Sequence, residues 1–216
     1  MDSKYTQRAG ATQDFRGRLV HAVRAGITAI LAFTCSGAIA ANQPQQARQF
    51  RLAPWPQGVA TPQIELTDLS GRTRTLASFR GSVVVVYFGF VSCPQLCPDT
   101  LLKLSRAMKE LGPSRARVTV VFITLDPQHD SAHALQAYLK SFAPDFVGLT
   151  GSVTRVNAAA AAFHVQHAHV KQNGAETIDH STGLYVLDTH GSLRVIGSTD
   201  AKAEDIAHDL RLLAAE

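Results

Sequence analysis

The chain has 216 residues, 45% of them hydrophobic and 18% charged, which suits one globular domain plus an appendage. A domain of roughly 150 residues buries an ordinary core unaided, so it needs no cysteine staple. The formal charge of +4 resides mostly in residues 1–41, where Lys4, Arg8, Arg16, Arg18 and Arg24 face Asp2 and Asp14; the near-neutral remainder has no basic stripe, which speaks against a nucleic-acid-binding class.

After Arg24 the run AGITAILAFTCSGAIAA (25–41) carries no charge and closes on Ala38-Ile39-Ala40, an A-x-A cleavage pattern. Its length is at the short limit for a bilayer span. Residues 1–41 are therefore expected to be a signal peptide or a membrane anchor. Either fate exports the remainder, to the periplasm or to the outer face of the inner membrane. Cys35 falls inside this leader, behind a poor lipidation signal. Cys93 and Cys97 remain, and an oxidising compartment joins them unless a reductant is supplied.

Residues 42–60 hold Pro44, Pro54 and Pro56 among Gln, Asn and Gly, and read as a linker to a domain over 61–216. IELTDLSGRTRTL predicts a hairpin around Ser70-Gly71. VVVVYFGF (83–90) is a continuous apolar run, as in a strand buried on both faces of a parallel sheet. A helix then carries Leu101, Leu104, Met108 and Leu111, with Pro98 suited to its first position. RVTVVFITL (117–125) predicts a second buried strand, and Asp130 or Ser131 a cap for the next helix. FVGLT is a short strand, and SVTRVNAAAAAF a helix capped by Ser152. HVQHAHVKQNGAETIDH carries turn chemistry at Asn173-Gly174. LYVLD and LRVIG form a hairpin around THGS, and a last helix starts near Ala201. This order predicts an α/β domain of thioredoxin-like fold with an N-terminal hairpin and an inserted strand and helix. Sites in such sheets form at the carboxyl ends of parallel strands, and Cys93 and Cys97 follow one directly.

The two cysteines in YFGFVSCPQLCPDT are four positions apart, one more than in a thioredoxin-type C-x-x-C. The offset brings side chains onto one helical face. A Cys97 in the first turn would meet unpaired N–H groups that lower a thiol pKa. The spacing leaves open a cycling disulfide, a static one, or two soft ligands for Cu(I) or zinc. Two sulfurs alone seldom make a specific metal site, which directs attention to the nine histidines. His180, in IDHSTGLYVLD just before a predicted strand, is placed to face the cysteine loop, with Asp179 and Ser181 in support. A satisfied strand-edge histidine is the competing reading. His164, His167 and His169 form a second group, more in keeping with exposed imidazoles than with a metal site. His129, His133, His190 and His208 read as surface. Asp126 and Asp130 bracket the loop after the second parallel strand, where they could tune the thiols or simply shape a turn.

YFGFVSCPQLCPDTL, TLDPQHDS, FVGLTGS and DHSTGLYVLDTHG, in this order, resemble the SCO/SenC copper-chaperone family over roughly residues 55–215. Val91-Ser92 replaces a more usual Thr-containing pair, and His129 stands where the family more often has Arg. The resemblance implies a thioredoxin-like, exported or membrane-tethered copper metallochaperone. Its cargo would be Cu(I) and/or Cu(II), and its acceptor the binuclear copper site of cytochrome c oxidase subunit II. Other copper chaperones or thiol reductants are the further partners implied. Carried over by motif, the copper ligands are Cys93, Cys97 and His180; Asp126 and Asp130 match the family's D-P-x-x-D loop, whose second Asp is implied to influence copper handling. The alternative is an extracytoplasmic thiol–disulfide oxidoreductase using the same two cysteines.

Overall fold

The computed structural model describes residues 50–172 and 174–216. The leader, Cys35, Asn173 and the first part of the expected linker lie outside the described residues. Among the described residues no helix is long and apolar enough to cross a membrane.

The later part of the segment expected to be linker is built into the domain. Leu52 is buried and Ala53–Pro54 form a short strand, β1. Pro54 is tolerated because an edge strand needs no further ladder donor. The expected hairpin is present as β2 (Leu66–Asp68) and β3 (Thr73–Arg74). Its turn is closed by the Asp68 carboxylate, which accepts from the Ser70 and Arg72 amides and pairs with Arg74.

The long apolar run is β4 (Val83–Gly89), all seven residues buried. Helix α1 spans Leu96–Glu110 and begins two residues before Pro98, with Gln95 as N-cap. Strand β5 (Val118–Thr124) lies parallel to β4, in register from Val83 opposite Val118 to Gly89 opposite Thr124. Next come α2 (Ala132–Lys140), capped by the Ser131 hydroxyl, then β6 (Val147–Thr150) and α3 (Val153–Ala162), capped by Ser152. The histidine-rich stretch forms a two-stranded antiparallel ribbon, β7 (His167–Gln172) with β8 (Ala175–His180), turned by Gly174 at φ +83°. The chain closes with β9 (Leu184–Leu187), β10 (Leu193–Gly197) and α4 (Ala203–Ala214).

The main sheet has the order β1-β10-β9-β4-β5-β6-β2-β3, while β7-β8 is a sheet of its own. Strands β4, β5 and β6 run parallel, and β9 and β2 pair antiparallel at their flanks. Right-handed crossovers between neighbours stepping in one direction put α1 and α2 on the same face. Alternation sends Tyr87 to that face with Phe122 and Tyr138. Phe88 points the other way, into a cluster with Phe163 and Tyr185. The core is therefore filled on both sides of β4, and the loops after β4 and β5 emerge at one end of a rigid parallel pair.

The N-terminal segment is held by a single buried carboxylate. Asp209 of α4, 0% exposed, accepts from the Arg51 amide at 2.9 and 3.0 Å and from the Leu52 amide at 2.8 Å. Asp209→Ala leaves these amides unpaired. It is expected to destabilise the domain by on the order of 3 kcal/mol in urea unfolding, and to raise hydrogen exchange selectively over residues 51–53.

Candidate metal centre

Both cysteines sit where β4 gives way to α1, and the structure distinguishes them. Cys93 lies in the loop, its amide donating to Phe90 O at 3.3 Å, and keeps 9% of its surface. Cys97 is in the first turn of α1 and has none exposed. They are free thiols. The Cys97 amide donates to Cys93 Sγ at 3.3 Å. The N-terminal field of the helix is thus directed at the cysteine outside it, and the expectation of a lowered Cys97 pKa is reversed. The Cys93 thiol is held well below its ordinary value, first by the Cys97 side chain beside it. His180 and the amides of Cys97 and Gln95 add to this, and burial opposes it. Cys97 is pushed up by its role as donor to Cys93 and by burial. The pair behaves as one unit that gives up a first proton readily and holds the second.

Gly89, the last residue of β4, makes this packing possible. A Cβ there would lie 2.7 Å from Cys97 Sγ and 3.0 Å from the Phe122 ring. In the sequence Gly89 is one position of the apolar run VVVVYFGF. A lone glycine in a strand is nevertheless the recognised mark of such a close approach.

His180 ends β8, so it belongs to the ribbon and not to a loop. Its ring stands edge-on to Phe90, centroids 6.0 Å apart, and Nδ1 faces Ser181 O at 3.0 Å. That contact leaves Nε2 available. Cys93 and His180 border one cavity of about 520 Å³, together with Phe90, Leu96, Val170 and Ile178. His180 therefore reaches Cys93. Even so, among the described residues no three His, Cys, Asp or Glu side chains converge closely enough to hold a metal as they stand.

Asp130 is buried and meets the cysteine loop through its backbone. Its Oδ2 accepts from the Val91 amide at 3.0 Å and from the Thr124 hydroxyl at 2.6 Å. Burial raises its pKa, and the two donors hold it back. Asp126 donates its amide to Thr124 Oγ1 and pairs with Nδ1 of His129, at the surface as expected, at 2.7 Å. Neither carboxylate is among the groups that chiefly set the two thiols. The second histidine group disperses. His164 stacks on Trp55, and His167 contacts Asn157 Oδ1 at 3.0 Å while lying opposite His180 across the ribbon. His169 sits near His129 and Glu176.

This end of the sheet presents an accessible low-pKa sulfur backed by a buried one, with an imidazole on a separate element. The family model described as SCO1/SenC matches residues 56–215. The chain belongs to the SCO1/SenC family. The human mitochondrial SCO2 homolog is 38% identical over 150 residues, covering 68% of this chain and 56% of the human protein. This chain thus spans little more than half of that relative. Among solved structures, copper-bound ScoI of Bradyrhizobium japonicum superimposes with a TM-score of 0.65 at 28% identity, covering 71% of this chain and 99% of that one. Apo Sco1 of Thermus thermophilus gives 0.66 at 33% identity, covering 77% and 96%. The expected thioredoxin-like α/β fold is thereby borne out, with the β2–β3 hairpin and the β6–α3 insertion in place.

Gly89→Ala tests the packing under the sulfurs. Overpacking is expected to cost about 1–3 kcal/mol. It should also speed alkylation of Cys97 relative to the wild type, read by mass spectrometry.

Proposed function

We propose that this SCO/SenC member is an exported copper metallochaperone. It carries Cu(I) and/or Cu(II) on Cys93, Cys97 and His180 and delivers it to the binuclear copper site of cytochrome c oxidase subunit II. The observation that carries this reading is the meeting of Cys93, after β4, and His180, at the end of β8, around one cavity, with Cys97 packed directly behind Cys93. Thiolate and imidazole are the soft and borderline donors that suit copper. Relatives solved with copper bound support it. A three-donor site with an open side also permits the metal to pass by ligand exchange. Because no closed trio is preassembled, loading includes a closure of the β7–β8 ribbon that brings His180 onto both sulfurs. Asp130 keeps the cysteine loop in register with the end of β5. Residues 1–41 supply export or a membrane tether.

A second reading has its own observation. The less buried, low-pKa Cys93 with Cys97 directly behind it is the arrangement of an attacking and a resolving thiol. In that role the domain reduces a protein disulfide outside the cytoplasm, an activity compatible with preparing the acceptor's cysteines. It requires an external reductant to restore the pair.

Titration of the reduced protein with Cu(I) against a strong chelator tests the first reading. Cys93→Ser and Cys97→Ser are expected to abolish tight binding. His180→Ala should weaken it by more than the roughly 10–100-fold typical of losing a supporting partner. Affinity indifferent to His180 would remove it from the ligand set. Turnover of a protein disulfide by the metal-free protein, abolished in Cys93→Ser, would establish the second reading.

A further inference from the structure

Copper carriage on Cys93, Cys97 and His180 leaves two buried hydroxyls among the described residues without a task, and Tyr87 is the more deeply buried. Tyr87, in the middle segment of β4, is 0% exposed, and its hydroxyl has no hydrogen-bond partner. Buried polar groups in native proteins are nearly always paired, so an orphan demands a reason.

Its position supplies one. Tyr87 and Gly89 are two residues apart on one strand and project to the same face. The side-chain direction at residue 89 runs into Cys97 Sγ and the Phe122 ring. The Tyr87 ring meets that same Phe122 ring edge-on, centroids 5.8 Å apart. The phenol therefore extends under the first turn of α1, where its neighbours are Cys97 and Thr100. The Thr100 hydroxyl donates to Leu96 O at 2.8 Å and, like the sulfur, forms no bond with the phenol. Of the two neighbours, the Cys97 sulfur is the one whose strength as an acceptor depends on its ionisation. A thiol is a weak acceptor, and no formed bond to it is seen. A sulfur that carries metal is a thiolate, a far better acceptor.

We propose that Tyr87 is a positioning residue for the copper site: its hydroxyl donates a hydrogen bond to the Cys97 sulfur once that sulfur carries copper. The proposal rests on the copper-carrier reading and adds a residue to it. Such a donor would fix the direction of the sulfur's lone pairs. It also withdraws electron density, one of the levers by which a protein tunes a copper–thiolate bond. The hydroxyl has no other partner, so nothing competes with this bond. Tyr138 provides an internal comparison. Its hydroxyl is also buried and unpartnered, on α2 beside Phe122 and Phe142, and forms no hydrogen bond to either sulfur.

The test compares the full-length wild type with Tyr87→Phe and Tyr138→Phe. Cu(I) affinity is read by chelator competition, and the thiolate-to-Cu(II) charge-transfer band by absorption. Tyr87→Phe is expected to bind Cu(I) about tenfold more weakly and to move the band to lower energy. Tyr138→Phe should leave both unchanged. Should the Tyr87 variant fold poorly, a ring-fluorinated tyrosine at position 87 keeps the shape and strengthens the donor, and should move the band to higher energy. Wild-type affinity with an unmoved band in Tyr87→Phe overturns the proposal, as do equal shifts in the Tyr138 variant. A wild type that takes up no copper overturns the carrier reading, and the role of Tyr87 with it.

Discussion

The sulfur of Cys97 fills the space that any side chain at residue 89 would need. That contact sets how the first turn of α1 meets the end of β4. With the helix seated there, its leading amides are aimed at Cys93, the sulfur just outside it. One constraint, a backbone close enough to admit sulfur and nothing larger, thus separates two chemically identical residues. Cys97 receives burial and the sheet. Cys93 receives the helix field, the imidazole and the small remaining exposure. An incoming thiol, disulfide or metal meets Cys93 first.

The rigidity behind that contact comes from β4 and β5. Seven consecutive paired residues, buried on both faces, leave the ends of these strands little freedom. The loops that follow are tied to each other by Asp130, which bonds both the Val91 amide and the Thr124 hydroxyl. The carboxylate spans the distance between the two strand ends. It acts on the cysteines by holding their loop and not by adding charge near them.

Where side chains follow a strong period, the sequence was a good guide. The valine runs, the Leu101-Leu104-Met108 stripe and the Ser131 and Ser152 caps each have a local cause, and each is where the pattern put it. The segments that escaped lack such a cause. The β7–β8 ribbon is largely exposed, so HAHVKQ shows no apolar alternation, and only its glycine turn was legible. Strand β1 is two residues inside a proline-rich stretch, and what secures that segment is Asp209, some 157 positions away along the chain. The cysteines, His180 and the carboxylates could be named from motifs. Which sulfur would be favoured depended on the burial of Cys97 behind Cys93, a packing that the motif does not show.

The ribbon that carries His180 shares no strand pairing with the main sheet. The sulfurs therefore stand on bedrock and the imidazole on a lever. In the proposed carrier, a metal held by all three would stiffen the lever, and bending the lever would loosen the grip without touching a sulfur. A partner that engages the tip of the ribbon, some distance from the metal, thus has a mechanical route to trigger release.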